Sequence, residues 1–204
     1  MTLAPALGGA LLLWAFVFIW HPIGFWASMA LATGILGTFA LAASRRSEQV
    51  WGPSCCRLNW LDLAWGAGSA LVLAAVFHVG GWVLRSLWPG SAGYIGAVYT
   101  LDTSVPLAVV VAALLVIIGP GEELFWRLFV QERLSGWLGP GAGWAVATTI
   151  YGGIHVLTRN PVLVLAALVA GAFWGLMWWK ARRPWALIVS HAVWDVLMFV
   201  VWPV

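Results

Sequence analysis

A chain of 204 residues that is 63% hydrophobic and 8% charged, with a mean hydropathy of +0.95, is too apolar for a soluble globular domain. The composition specifies an all-α, polytopic helical membrane protein. Its seventeen tryptophans suit that class, because Trp collects at membrane–water interfaces. The net charge of +3 resides in loop arginines and reads as topology; Trp and Arg do not interleave in a solvent-exposed stretch, which argues against a nucleic-acid partner. The expected partner is the lipid bilayer.

In chain order, residues 3–20 are apolar throughout and lack the basic n-region of a secretory signal, so they read as a retained helix. His21-Pro22 breaks it, and residues 22–43 form a second span. The loop from Arg45 to Arg57 holds the adjacent pair Cys55 and Cys56. That pair cannot form a metal site alone and reads as reduced, non-catalytic thiols. Asn59-Trp60-Leu61-Asp62 reads as a cap with an acid in the first turn, opening a third span that reaches about residue 84. His78, near its end, reads as a packed or interfacial side chain. Residues 85–104, with Pro89, Gly90, Gly93 and Gly96, form a loop or a re-entrant piece.

A fourth span covers residues 106–134, and a turn follows at 139–143. The fifth span, 144–157, is short for a bilayer crossing. The sixth, 162–179, carries Gly171 and Gly175 at the spacing of a close-packing face. The seventh, 185–202, carries Ser190, His191 and Asp195. About seven transmembrane helices thus make one integral membrane domain over residues 1–204, with the motif-bearing core at about 106–202. If spans alternate, Arg45, Arg46, Arg57, Arg133, Lys180, Arg182 and Arg183 share one side, and only Arg85 and Arg159 fall on the other. The positive-inside rule then puts the N-terminus in the cytoplasm. On this topology His155 falls near the outer end of its span and His191 in the inner third of its own, a mismatch in depth.

The stretch that needs a reason is 119–134, where Glu122 and Glu123 stand side by side in a membrane helix. Such carboxylates cost about 2.5–3.5 kcal/mol each at lipid depth and usually face a bundle interior. Glu123 and Arg127 are i,i+4 and can pair, while Glu122 points about 100° away. One reading is a supporting ion pair beside a working base. A buried Glu–Arg clip with a spare carboxylate bonded to backbone explains the stretch as well. The preceding Gly119-Pro120-Gly121 either kinks the helix and admits water or serves as a packing notch. Of the seven acids, Glu122, Glu123 and Asp195 lie well inside spans, joined there by His155 and His191. His191 and Asp195 are i,i+4 and can share a cavity. A glutamate and two histidines converging on a water make a workable hydrolytic site.

Glu122-Glu123-xxx-Arg127, then Tyr151-xxx-His155, then His191-xxx-Asp195, in that order, resemble the CAAX prenyl protease and bacteriocin-processing (CPBP, or Abi) family of intramembrane glutamic proteases. That family's patterns are EExxxR, FxxxH and HxxxN or HxxxD, and the resemblance covers about residues 106–202. It implies that Glu122 is the general base, assisted by His155. It further implies that His191 and Asp195 stabilise the oxyanion, and that Glu123 with Arg127 is a supporting ion pair. Tyr151 stands where Phe is usual and adds a hydroxyl near the site. Asp195 in place of Asn would repel an oxyanion when ionised, so it must be protonated or must orient a protonated His191. Trp126, Tyr151, Trp174 and Trp194 are the expected cavity wall.

The resemblance implies no cofactor and a membrane-embedded or lipidated peptide or protein as substrate, cleaved near its C-terminus. The expected location is a bacterial or archaeal inner membrane. Two competing readings remain. Glu and two His are also a zinc ligand set, although no HExxH spacing occurs. A transporter or immunity-type protein would use the same groups as a proton relay, or simply to lock the bundle.

Overall fold

The computed structural model of the chain describes residues 3–44, 57–100 and 104–204. The expected loop residues Arg45, Arg46, Cys55 and Cys56 lie outside them. Every regular element among the described residues is helical. Six helices are long and apolar enough to cross a bilayer: α1 (Leu3–Trp20), α2 (Phe25–Ala43), α3 (Trp60–Leu87), α5 (Leu107–Leu138), α7 (Pro161–Ala181) and α8 (Pro184–Val201). Between them lie the short α4 (Ser91–Tyr99) and α6 (Pro140–Ile154), the latter extended by a 3₁₀ turn, His155–Thr158. The expected fifth crossing, 144–157, falls on this α6 segment, which is not among the six helices long and apolar enough to cross, and the glycine-rich 85–104 stretch contains α4. Outward-facing Leu12, Leu71, Val79 and Val116 are exposed, as lipid contacts require.

The helix ends follow local chemistry. Asn59 and Asp62 form a reciprocal capping box at the start of α3, the role expected of Asp62. Arg183 adds a second task, donating from Nε to Asp62 Oδ1 (2.7 Å) and so tying the start of α8 to the start of α3. Gly139, at φ +85°, makes the α5–α6 turn, and Pro140 opens α6 where its missing N–H costs nothing. Asn160 caps α7 through Val162 and Leu163 N–H. His78 bonds the Ala74 carbonyl through Nδ1 and stacks on Trp202, a packed side chain as expected.

Glycines set the close approaches. A Cβ at Gly121 would lie 2.4 Å from Thr33 O on α2, and one at Gly119 would lie 3.0 Å from the Ala192 backbone on α8. Gly119-Pro120-Gly121 is therefore a packing notch with a neighbour on either side. The helix runs through it with π-type turns at Leu114–Ile118 and Trp126–Gln131. Gly171 and Gly175 likewise admit Tyr151 and Trp144 of α6 (2.8 and 2.7 Å from a built Cβ), as their spacing predicted.

Candidate active site

Two hairpins bring the motifs to one depth. From the Gly139 turn, Glu122 lies seventeen residues back along α5 and His155 sixteen residues forward, so antiparallel helices place them level. The α7–α8 turn lies level with Glu132 and not with Gly139: Arg182 pairs there with Glu132, which also accepts from Trp178 Nε1 (3.1 Å). Nine residues back from Glu132 is Glu123, and nine forward from Arg182 is His191. The depth mismatch expected from the sequence disappears: His155 and His191 line the same cavity, and α6, which leads into His155, is not among the helices long enough to cross a bilayer, so its end does not mark a membrane surface.

The resulting cavity, about 110 Å³, is lined by Glu122, His155, His191 and Asp195, with Tyr151, Trp174 and Trp194 in its wall. That is room for several water molecules. All four titratable groups are buried. Trp126, expected in the wall, does not line it. It packs edge-on against Trp14 (6.0 Å) and Tyr151 (5.3 Å), behind the tyrosine.

On the α6 side, Tyr151 O–H donates to Glu122 Oε2 (2.8 Å). His155 Nδ1 contacts the Tyr151 carbonyl (2.8 Å). A carbonyl only accepts, so the proton is on Nδ1 and Nε2 carries the lone pair. On the α8 side, Glu123 Oε1 accepts from Arg127 Nη1 (2.9 Å), the expected ion pair, and also meets His191 Nδ1 at 2.6 Å. The second contact was not foreseen from the sequence. His191 Nε2 lies 3.5 Å from Asp195 Oδ1, so a carboxylate faces each ring nitrogen. Trp174 stacks flat on His191 (centroids 3.7 Å, 15°), and the Arg127 guanidinium sits over the Tyr151 ring at 4.5 Å. Glu123 Oε2, Arg127 Nη2 and Asp195 Oδ2 are buried without a partner. Of these three residues only Asp195 lines the cavity, where its free oxygen points to water or substrate.

A second, almost wholly apolar cavity of about 190 Å³ lies between α3, α4, α7 and α8. It shares Leu163, Ala166, Trp194 and Phe199 with the first. Among the described residues no three His, Cys, Asp or Glu side chains are grouped to hold a metal ion. No curated protein and no solved structure matches the chain. The model of the Rce1-like family, type II CAAX prenyl endopeptidases, matches residues 103–197, an interval that contains all three motifs and implies protease activity. Over residues 103–197 the chain carries a domain of the Rce1-like type II CAAX prenyl endopeptidase family.

Proposed function

We propose that the protein is an intramembrane glutamic endopeptidase that works without a metal. In this reading it cleaves a membrane-embedded or lipidated peptide or protein near its C-terminus. One observation carries the reading: Glu122, His155, His191 and Asp195, from three helices, line a single cavity with room for several waters. Glu122 is fixed by Tyr151 through one oxygen and has no cation bonded to it, the condition of a base and not of an ion-pair clip. It takes a proton from a water shared with His155 Nε2, and the hydroxide attacks the scissile carbonyl. His191, a donor at both nitrogens when protonated, meets the oxyanion; Asp195 orients the ring and balances its charge. Collapse breaks the C–N bond, and the proton held by Glu122 passes to the leaving amine.

Glu123 and Arg127 hold His191 from behind. The adjoining apolar cavity supports a hydrocarbon-rich substrate, because it offers such a segment a site beside the reacting carbonyl without charged groups. The positive-inside count supports a cytoplasmic N-terminus. The test is a panel of membrane peptides and lipopeptides incubated with purified protein in detergent or liposomes. The expected result is endoproteolysis of at least one, unaffected by EDTA or phenanthroline. Loss of cleavage with chelator, restored by zinc, would make the enzyme a zinc hydrolase.

A further inference from the structure

We propose that α3, which lies outside the matched interval, positions the His191 imidazole through Ser69, Ser190 and Trp174. The proposal rests on the endopeptidase reading for its catalytic consequence but on geometry for the positioning. Trp174 is fully buried, stacks on His191, and has its indole Nε1 3.1 Å from Ser190 Oγ. Ser190 Oγ is 2.9 Å from Ser69 Oγ, and Ser69 Oγ is 2.9 Å from the Gly66 carbonyl. An indole N–H only donates and a carbonyl only accepts, while each hydroxyl has one proton. The arrangement that satisfies all three contacts runs one way: Trp174 to Ser190, Ser190 to Ser69, Ser69 to the Gly66 carbonyl. Each link fixes the rotor of the next, and the last is anchored in α3 backbone.

The run is stiff because α3 and α8 are clamped below it. Arg183 binds Asp62 and, through Nη2, Asn59 Oδ1 (3.1 Å). One turn up, a Cβ at Gly66 would fall 2.6 Å from the Val189 side chain and 2.8 Å from Ala186 O, so the backbones nearly touch. Ser69 is seven residues beyond Asp62, and Ser190 seven beyond Arg183, so the two parallel helices reach the serines in step. Burial alone does not demand this partner for an indole: Trp14, Trp126 and Trp194 keep buried Nε1 groups with none. The indole lying on the imidazole is held, and by a helix that has no part in the three motifs.

The experiment reads positioning and catalysis separately. A proton over an aromatic face is shifted upfield, so the His191 ring proton, assigned in histidine-labelled protein by its loss in His191→Gln, reports the Trp174 stack. Ser69→Ala and Ser190→Ala are expected to shrink that displacement. They should also lower kcat roughly three- to tenfold, about the worth of one hydrogen bond, with KM unchanged. In a Trp174→Phe background Ser69→Ala should do nothing further, since the run is already cut. An unmoved His191 signal in both serine variants overturns the proposal, as do kcat losses of Ser69→Ala and Trp174→Phe that multiply. If the displacement responds but wild-type protein cleaves no peptide, the positioning stands and the endopeptidase reading falls.

Discussion

The two sides of the cavity treat neighbouring carboxylates in opposite ways. Glu123 faces α8, where one of its oxygens meets both a guanidinium and an imidazole, with Trp174 closing over the ring. Glu122 faces α6, where its bonded neighbour is a neutral phenol and the next group is a histidine whose lone pair is open. The difference arises from 100° of helix rotation, which sends adjacent side chains toward different helices. A charge held by a fixed guanidinium and an imidazole is stable and inert; one held by a single neutral donor can still accept a proton.

The sharpest break of the α8 side is His191→Ala. If that side stabilises the oxyanion, kcat should fall by about 10²–10³ with KM little changed, because the interaction is made mainly in the transition state. Glu123→Gln comes next and separates a clip from a positioning group. It should lower detergent stability, since Arg127 is left buried and half-paired; breaking such a pair costs about 3–5 kcal/mol. It should also reduce kcat, because His191 loses the carboxylate at Nδ1. A loss of melting temperature with kcat intact would reduce Glu123 to a structural clip. The smallest effect belongs to Asp195→Asn, whose side-chain carbonyl can still accept from His191 Nε2. Activity should stay within about tenfold of wild type, measured as kcat/KM on the same peptide. A dead Asp195→Asn beside an active His191→Ala would make Asp195 the catalytic carboxylate.

What the sequence made legible was local or periodic. The Glu123–Arg127 pair and the His191–Asp195 proximity follow from i,i+4 spacing, and the Asp62 cap from three residues of α3. The tight α6–α7 packing follows from Gly171 and Gly175. The contact between Glu123 and His191 was not legible, because it spans 68 residues and depends on how far one hairpin is offset from another. That offset shows in the contact of Arg182 with Glu132, which joins residues 50 apart in the chain. The placement of Trp126 has a different cause, its packing on Trp14 of α1, a long-range contact that no local pattern anticipates. Ser69 carried no signal at all, since a lone serine in an apolar helix usually bonds its own backbone, as Ser69 also does.

The division between the two carboxylates is tested most directly by Glu122→Gln, assayed for peptide cleavage and for melting temperature in the same detergent. Gln keeps the shape and can still accept from Tyr151 O–H, but it cannot take a proton from water. Cleavage should vanish while the melting temperature stays at the wild-type value. Wild-type cleavage by Glu122→Gln would show that the base lies elsewhere and that the two glutamates do not divide the work.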